Sequence, residues 1–262
     1  ARATGRPGII IAGQNGPGVT NLVTGVAQAN AAFSPVVSLA GAVATEHIGK
    51  DAFQEIDQQA LFETITKKTW SIKQTNKIPE ILKDAFQLAL RPRCGPVHVN
   101  LPRDVLSNNV SFPKFVKHSN EILPKASNKD ISKANDIILK SSQAVIIAGG
   151  GIKNTQGYQD VINIAKMMDI PIVTSAGHGD AIPFSENLYA GQMGPRGNPI
   201  ATKLMREADV ILALGTRLGF NSTFFSYEHI NKQASIIQVD IEPTALGRYF
   251  PISIGMCADA KT

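Results

Sequence analysis

The residues best suited to chemistry lie in two short stretches of the first sixty residues. The first is the tripeptide Gly16–Gly18 (Gly-Pro-Gly), followed by Asn21. Glycine lets the backbone approach a partner closely, proline stiffens a turn, and an asparagine amide both donates and accepts hydrogen bonds. The second stretch holds Phe53 and Gln54, whose amide can polarise a carbonyl or bind a reaction intermediate. From the residues alone, the first also fits a ligand-free turn, and the second a loop amide that caps a helix.

The elements around the first stretch place it where ligands bind. Residues Gly8–Ala12 form an apolar run typical of a buried parallel strand. Apolar residues between Val19 and Val26 recur with helical spacing and predict a helix over Gly18–Ala31. Open α/β sheets bind ligands at the carboxyl ends of their strands, which is where this turn lies.

Alternating strands and helices predict an α/β fold with two doubly wound, mostly parallel, Rossmann-like domains. At 262 residues the chain has the size at which one core usually splits into two. The first domain is expected over residues 1–112 and the second over 130–262. Residues 113–129 contain two prolines and several lysines without a sustained period, which predicts a linker.

The apolar patterns also predict the elements of each domain. In the first domain we expect, besides those above, strands at Pro35–Gly41, Gly95–Leu101 and within 64–74, and a helix at Ile78–Leu90. In the second we expect helices at Asp130–Lys140, Gln156–Met168 and Ile200–Ala208, and strands at Ala144–Ala148, Pro171–Thr174, Asp209–Leu214 and Ser235–Asp240. We expect the first of these helices to bury Ile131. We expect Ser235–Asp240 to be the last clear strand of the chain.

Glycines follow several strands of the second domain, as at Gly149–Gly151. The sequence GGGIKN there does not match the G-x-G-x-x-G pattern of dinucleotide sites, so ordinary strand ends of a Rossmann-like sheet are favoured. His178, in a nearby glycine-rich loop, is interpreted as a loop or packing residue.

The two cysteines, Cys94 and Cys257, lie far apart and form no C-x-x-C pair, which predicts neither a metal site nor a disulfide. They fit a reducing cytoplasm. No stretch approaches the ~18 continuous apolar residues of a membrane helix, and no signal-peptide pattern is present. We therefore expect a cytoplasmic protein without a membrane partner. Because the first residue is not methionine, the chain is expected to be a fragment.

The net charge of +5 is modest. The densest basic region contains Lys67, Lys68, Lys73, Lys77 and Lys83. These lysines alternate with apolar residues and are interpreted as a solvated face. Because no aromatic and basic binding module accompanies them, nucleic acid is not expected as a partner.

Four motifs in order resemble the pyrimidine-binding domain of thiamine-diphosphate enzymes of the acetolactate synthase superfamily. They are TGRPG (4–8), GPGVTN (16–21), DAFQE (51–55) and GPVHVNLPRDV (95–105). The resemblance covers nearly the whole chain, and the ordered set is much more specific than any one motif. Other details look closest to the sulfoacetaldehyde acetyltransferases, namely QNGPG (14–18), FQEIDQQALFE (53–63), GTRLG (215–219) and ISIGMCADAK (252–261).

The resemblance implies thiamine diphosphate as cofactor, with Mg²⁺ held by a C-terminal domain that carries a GDG segment. No GDG triplet occurs in this sequence. The family's catalytic glutamate is expected roughly ten residues before Ala1, by analogy. This chain alone is therefore expected to be inactive. FAD, which some members bind in the middle domain, is not expected because Leu218–Thr223 departs from their acidic-acidic-arginine pattern.

The resemblance also assigns roles to individual residues. Those assigned to cofactor binding are Gln14, Gly16, Pro17, Gly18, Asn21 and Gln54. Gln54 is the residue expected to act in catalysis, and Phe53 is expected to face the substrate or the dimer interface. No residue of the chain is assigned as a metal ligand.

Three functions are compatible with these features. The leading one is transfer of two-carbon units with thiamine diphosphate, converting sulfoacetaldehyde and phosphate into acetyl phosphate and sulfite. The alternative is acetolactate synthase chemistry on pyruvate, as a large catalytic subunit. Both imply a small-molecule substrate and a homodimer or homotetramer. A function of another class is a non-catalytic nucleotide-binding module of two Rossmann-like domains.

Overall fold

The computed structural model describes residues 1, 3–13, 15–112 and 123–261. These fall into two compact units, residues 1–121 and 122–262. Most of the predicted linker, residues 113–122, and the predicted site residue Gln14 lie outside the described residues. The predicted domain limits therefore stay a prediction.

In the described part of the first unit, four parallel strands form one sheet in the order β1-β2-β4-β3. The strands are β1 (Gly8–Ala12), β2 (Val36–Ala42), β3 (Thr69–Ser71) and β4 (Pro96–Pro102). The helices are α1 (Pro17–Thr20), α2 (Val23–Ala31), α3 (Gln58–Glu63), α4 (Ile78–Leu90) and α5 (Arg103–Ser107), with 3₁₀ turns at Thr45–His47 and Thr75–Lys77.

The prediction of one continuous helix over Gly18–Ala31 is wrong. The chain makes the single turn α1 and then α2, and the two are separated at Asn21 and Leu22. The Leu22 amide bonds to the Val19 carbonyl three residues back, at 3.0 Å, so the α-helical hydrogen-bond pattern is interrupted. Val19 and Val26 are nevertheless buried, as the helical spacing predicted.

Helices cover both faces of this sheet. On one face Val37, Val97 and Val99 pack against Ala85 and Ala89 of α4 in a single apolar cluster. On the other face a second cluster contains Ala12, Val19, Val26, Ala40 and Phe62, from β1, α1, α2, β2 and α3. The second cluster fixes α1 and α3 at the sheet edge where the predicted site residues lie.

His98 of β4 is fully buried beneath α3 and is held in one neutral form. Its ring stacks on Phe62 with a centroid distance of 3.8 Å. Nε2 lies 2.8 Å from Asn100 Oδ1 and Nδ1 lies 3.0 Å from Ser38 Oγ. Because Asn100 Oδ1 can only accept, Nε2 donates to it and Nδ1 accepts from the serine hydroxyl. Burial lowers the pKa of His98 to about 4.

Lys67 does not lie on the solvated lysine face that the sequence predicted. Its ammonium donates to three carbonyls at the C-terminal end of α4. The Leu88 carbonyl (2.7 Å) lies in the last turn of the helix, and those of Arg91 (2.7 Å) and Arg93 (2.9 Å) follow it. A cation at this end of a helix satisfies carbonyls that have no partner within the helix. Lys68, next in sequence, is exposed over the ring of Trp70.

Within residues 123–261, six parallel strands form the sheet of the second unit in the order β10-β9-β8-β5-β6-β7. The strands are β5 (Ala144–Ala148), β6 (Ile172–Thr174), β7 (Tyr189–Gln192), β8 (Val210–Leu214), β9 (Ser235–Asp240) and β10 (Ile254–Cys257). The helices are α6 (Asn128–Leu139), α7 (Gly150–Thr155), α8 (Tyr158–Met168), α9 (Pro199–Glu207) and α10 (Phe220–Thr223), with a 3₁₀ turn at Pro243–Ala245. The strand order reverses between β5 and β8, which is the doubly wound arrangement, so the predicted fold class is confirmed.

Three expectations for this unit are wrong. Ser235–Asp240 is not the last strand, since β10 follows it, and β7 was not predicted. The helix predicted over Gln156–Met168 begins at Tyr158, because Gln156 adopts a left-handed conformation (φ 55°) that ends α7. Ile131 is 47% exposed, and α6 instead buries Ala134. In the described part of the chain, no helix has the length and apolarity that crossing a membrane requires.

Replacing Lys67 with methionine should lower the free energy of unfolding of the first unit by about 1–3 kcal/mol, because three carbonyls, two of them in partly buried hydrogen bonds, lose a charged donor. Lys68→Met is the matched control and should change it by less than about 0.5 kcal/mol. Urea unfolding of the three proteins measures this. Equal midpoints for the two variants would show that the Lys67 contacts contribute nothing.

His98 should make the first unit less stable in acid. Between about pH 4 and 6.5 the unfolded chain binds a proton that folded His98 does not, so the free energy of unfolding falls as the pH falls. Between pH 7 and pH 5 the loss should be roughly 2 kcal/mol. Urea unfolding at both pH values should show this loss in the unmodified chain and in His47→Gln, and much less of it in His98→Gln. An undiminished loss in His98→Gln would contradict the assignment.

Candidate active site

Two loops meet at the carboxyl edge of the four-stranded sheet. One follows β1 and leads into Gly16–Gly18. The other follows β2 and contains Phe53 and Gln54. The two strands are parallel neighbours, with Gly8 paired to Val36 and Ala12 to Ala40, so their carboxyl ends lie side by side. The pairing of the strands therefore brings the two stretches of predicted site residues together.

A close contact between the loops joins Gly16 to the backbone of Gln54. A Cβ atom on Gly16 would lie 2.5 Å from the Gln54 carbonyl oxygen, and Gly16 itself has a φ of +47°. Only glycine combines this backbone conformation with so close an approach. The side-chain amide nitrogen of Asn15 (Nδ2) also donates to the Phe53 carbonyl oxygen, at 3.5 Å. The space that Gly16 leaves is thus filled by the neighbouring loop of the same chain.

Gly18 has a different environment. A Cβ atom there would lie 3.1 Å from the carbonyl oxygen of Gly13, within the same turn. A side chain on Gly18 would therefore crowd only the turn that follows β1, and not the neighbouring loop. Gln14, the remaining predicted cofactor-binding residue of this turn, lies outside the described residues.

The other predicted site residues are exposed around this contact. The side chains of Pro17, Asn21, Phe53 and Gln54 all face solvent in the isolated chain. The Phe53 ring is 74% exposed. Ile48 and Ile56, from the same loop as Phe53, are also exposed. This loop therefore exposes three large apolar side chains in the isolated chain.

Glu55 orders the loop that carries Phe53 and Gln54, and the sequence reasoning assigned it no role. Its two carboxylate oxygens accept hydrogen bonds from the backbone amides of Gly49 (2.6 Å) and Ala52 (3.0 Å). These two bonds lower the pKa of the Glu55 carboxyl below its ordinary value. The DAFQE motif contained this residue, but a contact with Gly49 cannot be read from the motif.

Gln58, at the start of α3, is buried beneath the same loop. Its amide nitrogen donates to the Gly41 carbonyl at 3.0 Å, at the end of β2. Its amide oxygen is buried and has no hydrogen-bond partner among the described residues. A buried acceptor without a partner is costly, so this oxygen fits a donor supplied from elsewhere, such as a water molecule or a bound group.

The side chains at this edge fit one part of thiamine diphosphate and not another. Proline, phenylalanine and primary amides suit the face and polar edge of an aromatic ring. A magnesium-bound diphosphate needs several oxygen ligands, usually carboxylates. No cluster of three or more His, Cys, Asp or Glu side chains able to hold a metal occurs in the part of the chain that the structure describes. The residues present fit the ring end of the cofactor.

The glycine-rich loops of the second unit pack against each other. A Cβ atom on Gly149 would lie 2.3 Å from the Gly215 carbonyl oxygen, and the Gly149 amide bonds to the Leu214 carbonyl at 2.9 Å. The His178 ring covers Gly150, where a Cβ would lie 2.7 Å from it. The His178 ring therefore packs on the turn that begins α7. The expected absence of FAD stays a prediction.

Comparison with known proteins assigns both units. Residues 1–61 match the family model for the thiamine pyrophosphate enzyme N-terminal TPP binding domain. Residues 131–262 match the model for the thiamine pyrophosphate enzyme central domain. Each match falls within one of the two units.

Curated relatives align with essentially the whole chain. A probable acetolactate synthase large subunit of Methanocaldococcus jannaschii is 37% identical over 100% of this chain and 45% of its own length. A probable sulfoacetaldehyde acetyltransferase of Rhizobium meliloti is 34% identical over 100% of the chain and 44% of its own length. A sulfoacetaldehyde acetyltransferase of Rhodobacter capsulatus is 35% identical over 99% and 44%. The chain therefore spans somewhat less than half the length of these relatives.

Replacing Gly16 with alanine should separate the two loops. The added methyl group cannot coexist with the Gln54 carbonyl, so we expect a loss of about 1–3 kcal/mol in the free energy of unfolding. Gly25→Ala is the matched control, because nothing lies within 4 Å of its Cβ position in α2. The control should be neutral or stabilising by up to about 1 kcal/mol. Equal stability of the two variants in urea would contradict the close contact at Gly16.

Proposed function

The chain belongs to the thiamine pyrophosphate enzymes, and we propose on that basis that the whole protein transfers two-carbon units with thiamine diphosphate. The observation that carries the proposal is the meeting of the Gly16–Gly18 turn with the loop of Phe53 and Gln54. It assembles exposed amides and an exposed aromatic ring at the carboxyl edge of a parallel sheet, where such folds bind ligands.

Each of these residues has a distinct proposed role. Bound thiamine diphosphate supplies the carbon nucleophile and the electron sink for the reaction. Pro17 and Asn21 contact and orient its rings from one side. Gln54 hydrogen-bonds the carbonyl oxygen of the substrate, where its amide stabilises charge best if water is excluded. Phe53 excludes water from that contact.

A second subunit completes the proposed site. The isolated chain leaves Ile48, Phe53 and Ile56 exposed beside the turn, and burying such side chains stabilises association. We propose that another copy of the protein covers this surface, as a homodimer or within a homotetramer. The catalytic glutamate and the Mg²⁺ ligands that the resemblance implies are not assigned to any residue of this chain.

The proposed substrates are sulfoacetaldehyde and phosphate, with acetyl phosphate and sulfite as products. The motifs QNGPG and FQEIDQQALFE support this choice, as do relatives named sulfoacetaldehyde acetyltransferase at 34–35% identity. The second candidate is acetolactate synthesis from pyruvate. It is favoured by the relatives named probable acetolactate synthase large subunit, at 37% and 36% identity.

Gln54→Ala in the whole protein should lower kcat on the order of 100-fold while leaving folding unchanged, because an exposed amide that acts on the substrate carbonyl is lost. Gln59→Ala is the matched control, since Gln59 is an exposed glutamine in α3, and it should keep the normal rate. Steady-state kinetics with sulfoacetaldehyde plus phosphate, and separately with pyruvate, test the residue and the substrate together. An unchanged kcat in Gln54→Ala would remove Gln54 from the chemistry.

A further inference from the structure

We propose that Glu55 is a positioning residue whose carboxylate closes the loop Gly49–Glu55. It thereby holds the Gln54 backbone in place beside Gly16, and this sets the point from which the Gln54 side-chain amide projects. The inference rests on the proposed function insofar as Gln54 acts on the substrate. It adds a residue that touches neither substrate nor cofactor but decides where Gln54 lies.

The first support is the way in which Glu55 is bonded. Oε1 accepts from the Gly49 amide at 2.6 Å, and Oε2 accepts from the Ala52 amide at 3.0 Å. The Glu55 amide in turn donates to the Ala52 carbonyl at 2.9 Å. One side chain thus ties the beginning, the middle and the end of a seven-residue loop together. Both carboxylate oxygens are used within the chain, which leaves this group a structural rather than a substrate-binding task.

The second support is the backbone conformation of the loop. Gly49, Asp51 and Gln54 all have positive φ angles, of 77°, 53° and 58°. For Asp51 and Gln54, which carry side chains, this conformation is unfavourable and persists only when surrounding contacts impose it. The two hydrogen bonds to Glu55 join the beginning and the middle of this segment to its end, and so help to impose that conformation.

The third support is the position of Gln54 between two constraints. On one side its carbonyl oxygen abuts Gly16, where even a Cβ atom would approach to 2.5 Å. On the other side it is covalently joined to Glu55, whose carboxylate is bonded back to Gly49. Gly16 therefore limits how near the loop approaches the turn, and Glu55 limits how far it withdraws. With both in place, the Gln54 backbone is restrained from both sides.

An ionised carboxylate suits this task better than an amide does. It accepts at both oxygens, whereas a glutamine side chain accepts at one and presents an N–H₂ group to the second backbone amide. Bonding to Gly49 and Ala52 lowers the pKa of the Glu55 carboxyl, and nearby His47 acts in the same direction. The other charged side chains nearby are the exposed Lys50 and Asp51 within the loop and Glu46 just before it, whose carboxylate lies 3.4 Å from His47 Nε2.

The test is a double-mutant cycle in the whole protein loaded with thiamine diphosphate and Mg²⁺. The variants are Glu55→Gln, Gln54→Ala and the double variant, and Glu46→Gln is the control. Glu46 is an exposed acidic residue just before the loop, in the turn Thr45–His47, and its carboxylate accepts from no backbone amide of the described residues. The kcat and KM values are measured on whichever proposed substrate turns over.

Glu55→Gln should lower kcat about tenfold with little change in KM, because a misplaced group costs rate far more than binding. In the Gln54→Ala background the same change should cost less than twofold, since the residue that it positions is already absent. Glu46→Gln should match the unmodified enzyme. An unchanged kcat in Glu55→Gln, or an equal loss in both backgrounds, would overturn the inference.

Hydrogen exchange of the backbone amides in residues 49–55 gives a readout that does not depend on turnover. In Glu55→Gln at least one of the two amides of Gly49 and Ala52, the one that loses its acceptor, should exchange at least tenfold faster than in the unmodified protein, and in Glu46→Gln neither should. Unchanged exchange in Glu55→Gln would refute the loop closure itself. A normal rate in Gln54→Ala would instead refute the proposed function of Gln54, while the exchange data still decide whether Glu55 holds the loop.

Discussion

The candidate site depends on the contact between the α-carbon of Gly16 and the carbonyl of Gln54. No side chain larger than hydrogen fits between them, since a Cβ atom would lie 2.5 Å from the oxygen. The glycine that marks the turn in the sequence is therefore needed to admit the neighbouring loop. Its predicted part in cofactor binding stays a prediction. Through this contact the turn after β1 and the loop after β2 form one continuous surface, and Pro17, Asn21 and Phe53 are exposed on it.

The rest of the first unit holds the two loops in that relation. Parallel pairing of β1 with β2 brings the carboxyl ends of the strands together. The apolar cluster that contains Val19 and Phe62 fixes α1 and α3 on one face of the sheet. Burial of His98 beneath Phe62 links the same face to β4. A substitution that disturbs the strand pairing, the apolar cluster or the packing of His98 should therefore shift one of the two loops. It should alter the site in this way even where it replaces no predicted site residue.

Much of the fold could be predicted from sequence, because long apolar runs and sustained helical periods are local signals. The bounds of β1 and α4 match their predictions to the residue, and the family resemblance is confirmed. The helix α3 has six residues and the strand β10 has four. Segments this short do not display a helical or strand repeat of apolar residues, so they could not be predicted from the sequence. The resemblance identified Gln54, but not its positive φ or its bond through Glu55 to Gly49. Both features depend on contacts that form only in the folded loop, within the loop and with Gly16. Such contacts cannot be predicted from the order of residue types alone.

The most direct test of this account is an experimental structure of the whole protein with thiamine diphosphate and Mg²⁺ bound. We expect a cofactor ring to lie within about 4 Å of Pro17 and Gln54. We also expect a second subunit to bury Phe53, with Gln54 still seated against Gly16. A structure in which the cofactor binds elsewhere and Phe53 and Gln54 face solvent would contradict these expectations.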